Sequence, residues 1–195
     1  MASSIVSILS TLFVSTIFFL LSTQNIVTSS RIPSTPLIQK ACSNTNRGID
    51  SKLCIQILRS QRQVVSAKNL FDLSIGIMEL GISNATNTRR YVQRRLNKPK
   101  IDPKLKDVLK ECKLSYDSVI ASFRSALSEV RDDKEYQTAT YDLLLASTDY
   151  IKPCIEAVAS KKIKDGTILI GNRVVPIFGL SAYEVVDRLD SSKQL

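Results

Sequence analysis

The stretch IDPKLKDVLKECKLSYDSVIASFRSALSEV, residues 101–130, decides how the rest of the chain is read. Leu105, Val108, Leu109, Cys112, Tyr116, Val119, Phe123, Leu127 and Val130 recur at three and four, which lines one face of a long α-helix. Asp102 and Pro103 begin it, because an Asp side chain accepts from an early helical N–H and proline lacks only an N–H that the first turn does not use. Asn97 to Pro99 forms a breaker immediately before. A helix this long with a single apolar stripe has to bury that stripe against other helices.

The flanks supply those partners. Residues 65–96 read as a second long helix, with Ala67, Phe71, Ile75, Met78, Ile82, Ala85, Val92 and Leu96 near one stripe and Gly76 and Gly81 weakening it. Downstream, the charged turn 131–135 leads into a stripe of Tyr136, Ala139, Leu143, Ala146, Tyr150, Cys154 and Val158. A link at 161–166 precedes a last helix, 169–190, that Pro176 should kink or truly begin. Residues 36–60 hold two short apolar clusters and read as a helical hairpin. The expected fold is therefore all-α: an antiparallel four-helix bundle with an N-terminal helical hairpin extension.

The first 30 residues contain no Lys, Arg, Asp or Glu, whereas all 27 basic and 18 acidic residues follow. The apolar run 5–21 and the small residues after it read as a secretory signal peptide, residues 1–30, which leaves residues 31–195 as one domain with enough chain for a core. Secretion makes the four cysteines Cys42, Cys54, Cys112 and Cys154 candidates for two disulfides. Three pairings are open from the count alone, and sequential pairing closes the shortest loops. Cys112 lies about 20 residues before the 131–135 turn and Cys154 about 20 after it, so the helical rise brings them level.

The net charge of +9 belongs wholly to the mature part. Residues 89–113 carry ten basic side chains against Asp102, Asp107 and Glu111. Outside the cell such a patch, with Arg89, Arg90, Arg94 and Arg95 at its head, favours acidic polysaccharide, a membrane surface or an acidic protein over nucleic acid, and acidic polysaccharide, as anionic pectin, is the reading carried forward. No membrane contact is expected once the signal segment is removed.

Catalysis finds no support. The absence of histidine excludes Ser-His-Asp, Cys-His and ordinary zinc arrangements, and no phosphate-binding glycine loop is present, so no catalytic, cofactor or metal residues are expected. Asp132 and Asp133 sit in a turn, where local hydrogen bonding accounts for them. Asn84-Ala85-Thr86 is a glycosylation sequon, which makes Asn84 a candidate glycan site inside the second helix.

These features together resemble the plant invertase and pectin methylesterase inhibitor family. The resemblance rests on Leu37 to Cys42 with Cys54, Leu109 to Tyr116, Tyr141 to Cys154, Gly171-Asn172-Arg173 and Leu180-Ser181-Ala182. Residues 101–130 also resemble the pollen-allergen members of that family. The likeness implies a four-helix bundle, pairing of Cys42 with Cys54 and of Cys112 with Cys154, and stoichiometric inhibition by covering an enzyme's active-site cleft with a rigid helical surface. The helices over 102–130 and 136–158 would form much of that surface.

Two departures bear on the target. Many pectin methylesterase inhibitors carry Thr before the fourth cysteine, where this chain has Pro153. Invertase inhibitors of the well-known type carry Pro-Lys-Phe before the third bundle helix, where this chain reads Asp132-Asp-Lys-Glu-Tyr136. The missing invertase-directed motif tilts the expectation toward pectin methylesterase, with acid invertase as the alternative. A non-inhibitory, basic pectin-binding wall protein and an unrelated helical receptor ligand are the remaining readings. The expected location is extracellular, in the apoplast or cell wall. The C-terminal Ser191-Ser-Lys-Gln-Leu195 is no retention signal, and a vacuolar destination stays open.

Overall fold

A computed structural model of the chain describes residues 36–43 and 48–191. The expected signal segment, 1–30, lies outside the described residues. Among the latter every regular element is helical. Two short helices, α1 (Pro36–Ala41) and α2 (Ser51–Arg59), lead into a single turn, α3 (Arg62–Val65). The long helices α4 (Leu70–Leu96) and α5 (Pro103–Ser128) follow, then a π-helical turn at Glu129–Asp133. The chain finishes with α6 (Tyr136–Ser147), α7 (Lys152–Ser160) and α8 (Gly166–Ser191).

The helix over 102–130 forms as its sequence requires. Asp102 Oδ1 accepts from Leu105 N at 3.0 Å, Pro103 opens the first turn, and Val108, Leu109, Cys112, Tyr116, Val119 and Phe123 are buried. α4 starts five residues later than the periodicity suggests. Asn69 accepts from Asp72 N at 2.8 Å and so caps the helix at Leu70, while Val64 and its neighbours form the separate turn α3. Met78, Ala85 and Val92 are buried as expected, but the stripe is rotated: Leu73, Ser74, Gly76, Ile77, Gly81 and Thr88 also face inward, and Ile75 and Ile82 are only half-buried. Gly81 accounts for the rotation, since a Cβ there would lie 2.6 Å from Phe123 Cε1. Close approach of two helices, and not hydrophobicity, selects that face.

The stripe read through 136–158 belongs to two helices. α6 ends at Ser147 and α7 restarts at Lys152, with Pro153 in its first turn, where a missing N–H costs nothing. α8, in contrast, begins at Gly166 and runs through Pro176 without ending. The residues on both sides of that proline, Val175, Ile177 and Phe178, are buried, and their packing holds the helix together.

α4 packs on α5 and α8, and α6 packs on α5 and α8, so the four long segments form a closed square with α7 continuing along α5. α8 is long and apolar enough to cross a membrane, but here most of that stretch is buried inside the bundle. Cys112 on α5 and Cys154 on α7 form a disulfide with Cα atoms 4.3 Å apart, tying the second bundle helix to the third. Cys42 and Cys54 form the other, which joins α1 to α2 as they lie on α8. Next to the first bridge, Tyr116 of α5 donates to Asn172 Oδ1 of α8 at 2.9 Å. Gly171 leaves room for that hydroxyl and for Thr88 of α4, whose Oγ1 would be 2.7 Å from a Cβ there. Burial pushes the Tyr116 hydroxyl far above its ordinary value despite its hydrogen bond with Thr88, so it stays a neutral donor.

Candidate docking face and charged surface

The outward side of α5 changes character along its length. Between Lys110 and Arg124 the outward positions Leu114, Ser118 and Ala121 carry no charge, and Leu114 is 61% exposed. Where this strip meets α6 and the turn before α7 it forms a shallow groove of about 340 Å³. Ser118, Ala121, Ser122 and Ser125 make its floor, and Asp142 and Tyr150 stand beside it. The small side chains let the helices approach closely enough for Ser122 Oγ to donate to Asp142 O at 2.8 Å. Tyr141, one residue from the groove, is 60% exposed. An uncharged strip with small side chains and exposed tyrosines has the composition of a protein interface centre, where charge is depleted and tyrosine enriched. The break between α6 and α7 is what brings Tyr150 to the surface, a position the sequence pattern assigned to a buried stripe.

The link 132–136 is held rigidly. Lys134 adopts a left-handed backbone (φ 61°), donates through Nζ to Val130 O and Arg131 O, and lies 4.4 Å from the Phe71 ring centre. Arg131 pairs with Glu79 at 2.8 Å. Glu129 is the exception at this end. Burial, with repulsion from Asp142, Asp133 and Glu135, raises its pKa against the hydrogen bond from Ser125, and its Oε2 is buried without a partner.

The basic patch divides into committed and uncommitted cations. Arg89 and Lys113 both pair with Asp117 at 2.8 Å. Burial pulls the Asp117 carboxyl up, but the hydrogen bonds from Lys113 and Arg89 outweigh it and hold it below its ordinary value. Arg95 lies 3.3 Å from Asp165, which also accepts from Tyr91 at 2.8 Å, so the end of α4 is fastened to the link before α8. Arg90 reaches only Asn87, and Arg94 is exposed with no ion-pair partner among the described residues. Asn84 is half-buried in mid-helix, with its Oδ1 buried and unpartnered.

A second depression, about 520 Å³, lies between α7 and α8 over Ile155, Val158, Ala159, Ile163 and Leu169. Periodicity did not point to it: of these side chains only Val158 lay on a stripe read from the sequence, and Ile155 and Leu169 are exposed. Among the described residues no group of His, Cys, Asp or Glu could hold a metal ion.

Comparisons with known proteins agree with this architecture. The chain is 32% identical over 146 residues to cell wall / vacuolar inhibitor of fructosidase 2 of Arabidopsis thaliana, covering 72% of this chain and 77% of that protein. A crystal structure of mutant form A of a pectin methylesterase inhibitor from Arabidopsis superposes with a TM-score of 0.66 at 15% identity, over 76% of this chain and 96% of that one. A pectin methylesterase inhibitor from Arabidopsis thaliana gives 0.58 at 17% identity, over 77% and 93%. At such identities the structures establish the fold alone. The family model for plant invertase/pectin methylesterase inhibitors matches residues 36–175, and the chain belongs to that family: it is an inhibitor protein, not an enzyme.

Proposed function

We propose that the chain inhibits an acid invertase by seating the groove between α5 and α6 over the enzyme's active-site entrance. The observation that carries the target is the 32% identity, over 146 residues, to a protein named as an inhibitor of fructosidase. Pectin methylesterase, which the sequence favoured, remains the second reading because residues 132–136 lack Pro-Lys-Phe, and Lys134 there caps the π-turn. In either case the affinity comes from a preorganised surface: two disulfides and a closed bundle leave little to order on binding.

The proposal extends to the rest of the chain. Residues 1–30 act as a signal peptide and residues 31–195 form the inhibitor, delivered to the cell wall or the vacuole. Anionic pectin is a further partner, supported by the uncommitted Arg94 and by Arg90, whereas Arg89 and Arg95 are held by acids of the protein itself. The reading includes no nucleic-acid partner, and no membrane contact after signal cleavage.

Paired inhibition assays with oxidised protein from residue 31 onward, against an acid invertase and a pectin methylesterase, test the target. Inhibition of the invertase alone supports the first reading, and of the methylesterase alone the second. Ala121→Arg, at an exposed position on the groove floor, should abolish inhibition while leaving the melting temperature unchanged. Full inhibition by that variant would place the contact elsewhere.

A further inference from the structure

Cations far apart in sequence meet at one end of the bundle. The antiparallel order puts the α4–α5 link and the α7–α8 link at the same end, and the Tyr91–Asp165 and Arg95–Asp165 contacts fasten them together. The last turn of α4, the first link and the start of α5 present Arg94, Lys98, Lys100, Lys104 and Lys106, all exposed and without an ion-pair partner among the described residues. Lys161, Lys162 and Lys164 on the second link are equally exposed and unpaired. Most acids nearby are already engaged: Asp165 by Arg95 and Tyr91, Asp102 as the cap of α5, and Asp107 by Lys110 at 3.8 Å, while Glu111 lies a further turn along α5 and is half-buried. The opposite end is different in kind, with Glu129, Asp132, Asp133 and Glu135 around the π-turn against Arg131, which pairs with Glu79, and Lys134, which donates to backbone carbonyls.

We propose that this basic end is a polyuronate-binding pole, which holds the inhibitor on demethylated pectin while the α5–α6 groove stays open to the enzyme. The proposal rests on the pectin contact suggested above, and extends it from Arg94 at the end of α4 to two converging links. An exposed lysine paired with one carboxylate gains little, because both are solvated and screened. A linear polymer repeating the carboxylate along its length engages many such cations at once, so small gains add without further loss of freedom. A methyl-esterified chain offers no charge and is not held. The pole lies along the bundle axis from the groove: Lys106 is eight residues before Leu114 on α5, roughly 12 Å of helix. Retention would therefore concentrate the inhibitor where methyl esters have been removed.

The test measures binding of the oxidised protein to immobilised polygalacturonate and to fully methyl-esterified pectin across a salt series. Three triple variants are compared: Lys161→Gln/Lys162→Gln/Lys164→Gln, Lys98→Gln/Lys100→Gln/Lys104→Gln, and a charge-matched control, Lys52→Gln/Arg59→Gln/Arg62→Gln. A cation near an anionic surface contributes a factor of about five, so each pole variant should bind polygalacturonate roughly 100-fold more weakly at low salt, with a flatter salt dependence. The control should lose far less, and inhibition of whichever enzyme responds should be unchanged in both pole variants. If the wild-type protein ignores polygalacturonate, the pectin contact itself is wrong. If it binds but the 161–164 variant behaves like the control, the converging pole is wrong and the α4 patch acts alone. Equal binding to esterified pectin, or loss of inhibition in a pole variant, overturns the charge basis or the separation of the two sites.

Discussion

Gly179→Ala puts a methyl group where α8 runs against α6. The added Cβ would overlap Ser147 Oγ and lie 3.1 Å from Leu143 O and 3.2 Å from Ser147 Cβ. Ser147 has no costless escape. It is 4% exposed and its hydroxyl donates to Leu143 O at 2.6 Å, so turning it away strands a buried polar group, at about 1–3 kcal/mol. Spreading the helices instead is overpacking, which costs about the same. Alanine's better helix propensity offsets about 1 kcal/mol. With central values the net loss is about 1 kcal/mol and at most about 2 kcal/mol, a fall in melting temperature of about 2–8 °C for a domain of this size. Thermal and denaturant unfolding of the oxidised protein would read it. Adding Ser147→Ala removes the overlapping oxygen and should recover at least about 1 kcal/mol beyond additivity. A Gly179→Ala protein as stable as wild type, or a double variant additive within about 0.5 kcal/mol, would refute the close crossing.

Opening the Cys112–Cys154 bridge by a double Cys→Ala change should cost about 4 kcal/mol, and opening Cys42–Cys54 about 3 kcal/mol, because the first closes the longer loop; denaturant midpoints compare them. Glu129→Gln should stabilise the protein at neutral pH by up to about 1 kcal/mol, since the folded state raises that carboxyl's pKa and ionisation therefore works against folding. The gain should vanish below the ordinary glutamate range, where the wild-type side chain is protonated in both states. Asp117→Asn has the opposite sign. Its depressed pKa contributes stability above the ordinary aspartate value that is lost as pH falls through the folded value, and partial exposure keeps the loss in the variant below about 1 kcal/mol and salt-sensitive. Glycan occupancy at Asn84 is expected to be low, because the side chain is half-buried within a continuous helix; intact-mass spectrometry of protein secreted from a plant host, before and after deglycosylation, measures it.

The sequence by itself determined the elements whose signals are local. Asp102 with Pro103 and an unbroken apolar period set the start and buried face of α5, and the count and spacing of the cysteines limited their pairings. The missing histidine removed the usual catalytic constellations, and a family resemblance pointed to the bundle and to inhibition. What only the tertiary structure decided depends on which backbones come close. The buried face of α4 follows Gly81 and Thr88, which carry no hydrophobic signal and are selected by contact with Phe123 of α5 and Gly171 of α8. Two prolines of the same covalent character have opposite outcomes: Pro153 sits in the first turn of a new helix, while packing carries α8 straight through Pro176. Lys98 and Lys162 are far apart along the chain, and only the antiparallel fold of the helices between them places both at one end. A period in hydrophobicity records how one helix meets water, whereas convergence of charge and close crossing of backbones are properties of two segments at once.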